Sequence, residues 1–240
     1  MHIDIQFLPS PPHANLLSDR VVVVMDILRA TSVIVHAMTQ GASEIIPLAT
    51  VEEAFRMAKA FPRGFVILGG ERKNKEIPGF DLGNSPKEYT AERVKGKKLI
   101  LTTTNGTRAF HAVSPGKEIL AGSFLNIGAI AQRCLESNRD VFIFPSGDEG
   151  NFSLEDTLCG GMLIDLITKK ETRQVSLTDA SHSAQILYQR FKDNLSEAFH
   201  LSRHGNELVN RGFEDDLAYC AQIDMTPLVP VFREGVIRAK

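Results

Sequence analysis

The sequence predicts an α/β fold: a mainly parallel sheet layered by helices in three α/β/α layers, with a helical C-terminal part. Two observations lead to this prediction. Short apolar strands alternate with amphipathic helices along most of the chain, and the strand RVVVVMD is β-branched on both faces, as in a sheet covered on both sides. Of the 240 residues 43% are apolar, enough for a single domain over residues 1–240 with a large core.

The element predictions follow from apolar periodicity between turn-forming residues. Strands are expected at residues 2–8, 20–26, 44–48, 65–68, 98–102, 118–121, 140–144 and 228–232. Helices are expected at residues 31–40, 51–61, 107–113, 126–136 and 153–169. Residues 173–227 are expected to contain successive short helices that end at Gly205 and Gly212. These form either a cap or part of the outer layer.

Charge and cysteine content exclude several classes of function. The net charge of −2 lacks the basic excess of a nucleic-acid binder. The three cysteines, Cys134, Cys159 and Cys220, are far apart and form no CxxC motif, and no HExxH motif occurs, so neither disulfides nor zinc are expected. No apolar run approaches the roughly 18 residues of a membrane span. The N-terminus lacks the basic segment of a signal peptide, so we expect a cytoplasmic protein. A homo-oligomer is left open.

Polar residues gather directly after four predicted strands. The segments are DILRATS from Asp26, GGER from residue 69, TTTNGT from residue 102 and PSGDEG from residue 145. Because ligands of open α/β sheets bind at the carboxyl ends of strands, we expect these segments to form one site for a small anionic ligand.

Asp26 is the central candidate in this set. A carboxylate at the end of a buried strand either binds Mg²⁺ or attacks phosphorus; the alternative is a helix cap or an ion pair with Arg29. Arg29 favours a functional role, because guanidinium matches phosphate oxygens. Thr31 and Ser32 are good N-cap residues, and the amides of such a helix start also hold phosphate.

The GGER segment and the loop after it supply further candidates. Glu71 follows two glycines that let the backbone approach a ligand, although a surface ion pair between Glu71 and Arg72 is the simpler interpretation. In the following loop, GFDLGNSP, Asp81 is expected either in an Asx turn or as a second metal carboxylate. Asn84 and Ser85 of this loop are candidate phosphate ligands.

The TTTNGT segment passes from a strand into a helix. Its hydroxyls and its glycine turn predict phosphate binding in place of a simple turn with threonine caps. No P-loop motif is present. The candidate residues are Thr103, Thr104, Asn105, Gly106 and Thr107.

Acids also surround the start of the helix after residue 153. Ser153 and Asp156 fit a capping box, which explains them without function. Their position beside the fourth strand end makes Glu155 and Asp156 candidate metal ligands. Asp148 and Glu149 lie in a glycine-flanked loop, so we expect them to be solvated.

A last pair of candidates is Arg203 and His204. They could bind a second acidic group of the ligand. The simpler interpretation is a helix C-terminus with basic residues ahead of Gly205.

Several motifs together resemble the 2-phosphosulfolactate phosphatase (ComB) family. They are DILRATS, GGERK…IPGFDLGNSPKEY, TTTNGT, GNFSLED and SRHGNELVNRGFEDDLAYCAQID…VPVF, spanning about residues 20–232. The resemblance implies a single α/β unit and Mg²⁺-dependent hydrolysis of 2-phosphosulfolactate to sulfolactate and phosphate, a step toward coenzyme M. A related 2-phospho-acid is left open as the substrate.

The chain departs from the expected pattern at residues 144–147, where FPSG replaces a Cys-Ala-Gly-like turn and removes a cysteine nucleophile. The resulting hypothesis has Mg²⁺ held by Asp26 and Glu71 with Asp81 or Glu155, and Arg29 and Arg72 on the phosphoryl oxygens. Water or Asp26 attacks phosphorus. The alternatives are a non-catalytic sensor of a phosphorylated acid and a phosphotransferase.

Overall fold

The computed structural model describes residues 1–62 and 64–239 of the chain. Its strands are β1 (His2–Ile5), β2 (Val21–Met25), β3 (Glu44–Pro47), β4 (Val66–Arg72), β5 (Lys75–Glu76), β6 (Lys98–Thr102), β7 (Glu118–Gly122), β8 (Val141–Pro145), β9 (Ser176–Leu177), β10 (Pro230–Arg233) and β11 (Val236–Ala239). Its α-helices are α1 (Ala30–Thr39), α2 (Val51–Ala58), α3 (Ala91–Val94), α4 (Gly106–Ala112), α5 (Ile127–Ser137), α6 (Leu154–Lys170), α7 (Asp179–Phe191), α8 (Leu195–Leu201), α9 (Arg203–Asn210) and α10 (Glu214–Cys220).

The strands of the described residues form one sheet in the order β5-β4-β6-β3-β11-β10-β7-β2-β8-β1-β9. Two groups are internally parallel: β4, β6 and β3 on one side, and β7, β2, β8, β1 and β9 on the other. The hairpin of β10 and β11 joins them through three antiparallel pairings. An odd number of reversals means that the two parallel groups run in opposite directions.

Residues of the two parallel groups pack together with α1 and α4. A single inner core contains Val24 of β2 and Leu101 of β6, from opposite groups, together with Ile34 of α1 and Phe110 of α4. In a flat sheet, the carboxyl ends of the two groups would lie on opposite edges. In this structure the residues after β2 and β6 nevertheless meet, since a Cβ on Gly106 would lie 2.6 Å from Asp26 Oδ2.

Helices cover the outer face of both groups, so the predicted layering of a mainly parallel sheet is confirmed. Helix α2 covers Ile46 and Ile100 in one outer core, and α5 and α6 cover Val23 in another. The C-terminal helices contribute Phe199 and Leu217 to this second core. No helix among the described residues is long and apolar enough to cross a membrane.

One helix boundary was predicted wrongly. Gly205 does not end a helix but lies in the first turn of α9, where Ser202 Oγ accepts a hydrogen bond from Gly205 N at 2.9 Å. A Cβ at this position would lie 1.9 Å from Phe199 O, so only glycine allows α9 to follow α8 so closely. Gly212, with φ +83°, follows the end of α9 as predicted. The short strands β5 and β9 and the last strand β11 were not predicted.

Candidate functional site

Five buried carboxylates interact where the end of β4 and the loops after β2 and β8 meet the start of α6. The charge of Glu71 acts on Asp26, that of Asp26 acts on Asp156, and that of Glu155 acts on Asp148 and Asp156. None of the five is more than 7% exposed. We call these five residues the carboxylate cluster. So many acids in one desolvated region are unfavourable unless protons or cations lie among them.

Asp26 is held by the turn between β2 and α1. Its Oδ1 accepts a hydrogen bond from Ala30 N at 3.1 Å, and Thr31 Oγ1 bonds to the backbone N and O of Asp26 at 3.0 and 2.9 Å. A Cβ added to Gly106 would lie 2.6 Å from Asp26 Oδ2, so α4 begins directly against this carboxylate. Burial raises the pKa of Asp26, against a hydrogen bond from Ser146 and the charge of His204. Asp26 is thus both a cap and a buried acid.

Asp156 connects the loops after β2 and β8. Its Oδ1 accepts from Ile27 N at 2.8 Å, and its Oδ2 accepts from Gly147 N at 3.3 Å. Ser153 Oγ accepts from Asp156 N at 3.2 Å, so Ser153 caps α6 as its sequence context predicts. Burial, together with the charges of Asp26 and Glu155, raises the pKa of Asp156 well above its ordinary value.

His204 lies among the carboxylates and pairs with Glu155. Its Nδ1 is 3.5 Å from Glu155 Oε1, and its Nε2 is 3.2 Å from Asn74 Oδ1. Burial lowers the pKa of His204, but the hydrogen bond to Glu155 and the charges of Glu155, Asp148 and Asp26 outweigh it and raise the pKa. Burial raises the pKa of Glu155, but the hydrogen bond and charge of His204 outweigh it and lower that pKa below its ordinary value. Glu155 Oε2 is buried without a hydrogen-bond partner among the described residues.

The loop after β8 was expected to leave Asp148 in solvent, and that expectation is wrong. Asp148 is buried, and Arg203 Nη2 lies 2.5 Å from its Oδ2. The predicted second cation for the ligand, Arg203, is therefore already paired with a protein carboxylate. Glu149 is exposed as expected, 4.0 Å from Arg203 Nη1, and its N donates to Asn105 Oδ1 at 3.3 Å.

Arg29 and Ser85 meet at a carboxylate that the sequence did not indicate. Arg29 Nη1 lies 2.6 Å from Asp216 Oδ2, and Ser85 Oγ donates to Asp216 Oδ1 at 2.6 Å. The Arg29 guanidinium also stacks over the Phe213 ring, 4.3 Å from its centroid. The ion pair considered between Arg29 and Asp26 is not formed. Instead, Arg29 fixes α10 to the turn after β2.

Glu71 and Arg72 hold the ends of neighbouring strands. Glu71 Oε1 accepts from Thr104 N at 2.7 Å, and its Oε2 accepts from Asn74 N at 2.8 Å. Arg72 Nη2 donates to Ala49 O and to Thr102 Oγ1 at 2.8 and 2.6 Å. Glu71 belongs to the carboxylate cluster, whereas the Arg72 guanidinium is hydrogen-bonded to the protein backbone and a threonine.

Some of the remaining predicted site residues bond only to nearby backbone, and others keep a polar atom without a partner among the described residues. Thr103 and Thr107 bond to each other's backbone amides at 3.1 and 3.2 Å, and Ser32 Oγ donates to the carbonyl of residue 27 at 2.9 Å. Asn84 Oδ1 is buried without a hydrogen-bond partner in the described chain. Asp81 is exposed and accepts from a β4 amide at 2.9 Å, so the structure does not bring it to the carboxylate cluster.

Two pockets open beside the carboxylate cluster. The acidic pocket, of about 180 Å³, is lined by residues that include Glu71, Asp148 and His204. The Arg108 cleft, of about 520 Å³, is lined by residues that include Arg108 and Ser146. Asn105 and Glu149 line both. A larger cavity of about 920 Å³ lies at the start of β7 and along the β10–β11 hairpin and contains no residue of the cluster.

The carboxylate cluster offers oxygen ligands of the kind that Mg²⁺ prefers. Among the residues that the structure describes, no three His, Cys, Asp or Glu side chains stand together in an arrangement that could hold a metal ion. Mg²⁺ in enzymes usually takes only one or two protein carboxylates and completes its shell with water and substrate phosphate. Glu155 Oε2 is a buried carboxylate oxygen without a donor, and Asp26 lies in the same cluster. These oxygens fit the ion.

Buried acids with shifted pKa values, a histidine among them and two small adjoining pockets define an enzyme site for a small polar substrate. The 2-phosphosulpholactate phosphatase family matches residues 7–235. The chain belongs to this family of phosphoric monoester hydrolases, as its motifs predicted.

Named relatives agree with this assignment. The probable 2-phosphosulfolactate phosphatase of Clostridium novyi (strain NT) is 42% identical over 97% of each chain. That of Symbiobacterium thermophilum is 41% identical over 94% of this chain and 97% of its own, and that of Clostridium acetobutylicum is 39% identical over 99% and 100%.

Proposed function

We propose that this protein hydrolyses 2-phosphosulfolactate, or a closely related small 2-phospho-acid, to the 2-hydroxy acid and phosphate in a Mg²⁺-dependent reaction. The observation that carries the proposal is the carboxylate cluster with His204, buried beside pockets sized for a small molecule. The substrate is taken from the names of the relatives. A protein that only binds anions would gain nothing from five buried acids, because they repel its ligand.

We assign Asp26 and Glu155 to hold Mg²⁺. Asp156 and Glu71 lie in the same cluster but do not bind the ion directly. Both oxygens of Asp156 and Glu71 accept protein hydrogen bonds, whereas Glu155 Oε2 has no donor among the described residues. Bound Mg²⁺ would neutralise charge on the phosphoryl oxygens. Asp81 has no part in this set, since its carboxylate accepts from β4.

The remaining chemistry falls to residues of the chain itself. The burial of Asp26 limits the access of bulk water to the reacting phosphorus. We assign His204, held between Glu155 and Asn74, to deliver a proton to the leaving ester oxygen. Either water or Asp26 attacks phosphorus. Acid quenching with ³²P-labelled substrate separates the two: label on the wild type and none on Asp26→Asn would identify Asp26.

The test is phosphate release from 2-phosphosulfolactate and other 2-phospho-acids, with and without Mg²⁺ after treatment with a chelator. We expect chelation to lower kcat by at least about 100-fold and added Mg²⁺ to restore it, the size associated with one charge-stabilising group. Glu155→Gln should lose a similar factor. Asp165→Asn is the matched control, because Asp165 is equally buried on the same helix but pairs with Lys169.

Two results would contradict the proposal at different levels. Full activity in chelator would remove Mg²⁺ from it. Binding of 2-phospho-acids by the wild type without any phosphate release would establish the sensor alternative.

A further inference from the structure

Arg108 is an exposed arginine with no partner beside the site. It lies in the first turn of α4 and makes no hydrogen bond, ion pair or ring contact with any residue that the structure describes. Its positive charge acts on Arg72, whose own guanidinium is committed to backbone and threonine oxygens. An unneutralised guanidinium next to a second one attracts an anion.

The other arginines near the site are already paired with protein groups. Arg29 is ion-paired with Asp216, and Arg203 with Asp148, so neither charge is available without breaking a contact. Lys73 also forms no ion pair among the described residues, but it lines the acidic pocket together with Glu71 and Asp148, whose carboxylates would repel a second acidic group. Among the described residues that line the Arg108 cleft, Arg108 is therefore the arginine available to a ligand.

The Arg108 cleft connects this guanidinium to the carboxylate cluster. One face of α4 lines it, with Asn105 and Arg108 three residues apart, and Phe144 contributes apolar surface. Ser146 lies in the cleft and also bonds to Asp26 and Asp156.

We propose that Arg108 binds a second acidic group of the substrate, a carboxylate or a sulfonate, and thereby selects phosphate esters that carry such a group. The inference rests on the proposed function, because it needs the phosphoryl group at the carboxylate cluster. It replaces the assignment of Arg203 to this task. Arg108 is a specificity residue that touches the substrate away from the reacting bond.

The experiment compares Arg108→Gln with wild type on four esters. 2-Phosphosulfolactate carries both acidic groups, 2-phospholactate only the carboxylate, 2-phosphooxypropane-1-sulfonate only the sulfonate, and isopropyl phosphate neither. We expect Arg108→Gln to raise KM about 10- to 100-fold for the esters that carry the acidic group bound by Arg108, which is the loss typical of one charged hydrogen bond. For the esters that lack this group, the rise in KM should be at least tenfold smaller. Arg108→Lys should recover part of the loss, since it keeps the charge but not the planar fork.

The control is Arg56→Gln on α2. Arg56 is exposed and also lacks an ion pair in the described part of the chain, and its helix packs on the opposite face of the β3–β6–β4 group from α4. It should leave all four KM values as in wild type. The dissociation constant of the product sulfolactate, measured by calorimetry, provides a readout that needs no turnover, and Arg108→Gln should weaken it by the same factor.

The outcomes separate this inference from the proposed function. An equal KM change on all four esters, or none, together with unchanged sulfolactate binding, would overturn the role of Arg108 while phosphate release still supports the phosphatase. Weakened sulfolactate binding by Arg108→Gln in a protein that releases no phosphate would support Arg108 and refute the phosphatase. A wild type that neither binds sulfolactate nor hydrolyses any ester would refute both.

Discussion

Replacing Gly106 with alanine tests whether the close approach of α4 to Asp26 is required for catalysis. The added Cβ would lie 2.6 Å from Asp26 Oδ2 and 2.5 Å from Ala30 Cβ, where ordinary contacts begin at 3.4 Å. The atoms must therefore separate by about 0.8 Å. Ala30 cannot turn away, because its Cβ is fixed to the start of α1, and Asp26 Oδ1 is tied to Ala30 N.

The expected loss has two parts. Overpacking of this size costs about 1–3 kcal/mol, which lowers Tm by roughly 2–12 °C in a chain of this length. A shift of nearly 1 Å in a reacting carboxylate costs about 100-fold in kcat. Thermal unfolding measures the first part, and phosphate release at saturating Mg²⁺ measures the second.

Gly128→Ala is the matched control, since its Cβ would also lie 2.6 Å from a carboxylate oxygen, Asp224 Oδ2. Both glycines begin helices, so the gain in helix propensity is similar. Asp224 Oδ1 accepts a hydrogen bond from Gly128 N at 2.6 Å, as Asp26 Oδ1 does from Ala30 N, but Asp224 is exposed and lies outside the site. We expect Gly128→Ala to keep wild-type kcat. If Gly106→Ala kept kcat within twofold of wild type, catalysis would not require Asp26 in its present position.

Three further predictions concern stability. The hydrogen bond from Lys98 holds the pKa of Glu44 below its ordinary 4.5. The ionised Glu44 therefore stabilises the fold fully above pH 4.5, and this stabilisation is lost as the pH falls through the lower pKa of the folded state. In urea titrations, the difference in unfolding free energy between wild type and Glu44→Gln should disappear as the pH is lowered from 4.5 through that pKa. Asp216→Ala should cost about 3–5 kcal/mol, because it leaves the Arg29 charge buried and unpaired; a loss below 1 kcal/mol would contradict the pairing. Burial raises the pKa of Cys134 to about 12, and the three cysteines are buried, so a thiol reagent at pH 8 should label none of them until the protein unfolds; native labelling would contradict this.

The strands were predictable because the local pattern of apolar residues indicates which of them are buried. The run RVVVVMD gives β2, whose Val22 and Val24 enter the inner core while Val21 and Val23 enter an outer one. The sequence shows that both faces are covered, since every residue from Val21 to Met25 is apolar. The strand β11 was missed because its four residues, VIRA, are too few to show a periodicity and include a charged arginine.

The direction of the strands was not predictable in the same way. Periodicity states which residues are buried but not which strand pairs with which. The reversal between the two parallel groups depends on the β10–β11 hairpin, which follows the parallel strands by more than 50 residues. Convergence of the strand ends was predicted, but the inner core that both groups share with α1 and α4 was not.

The sequence by itself determined the layered α/β class, the family and the residues at the strand ends, because each depends on local pattern or on motifs of adjacent residues. Only the tertiary structure decided which of those residues are free for a ligand. It paired Arg29 with Asp216, 187 residues away, and placed His204 beside Glu155. It left Arg108, which the sequence did not single out, without a partner in the described chain. A charge is available to a substrate only when no distant segment neutralises it, and contacts at that separation are set by folding of the whole sheet.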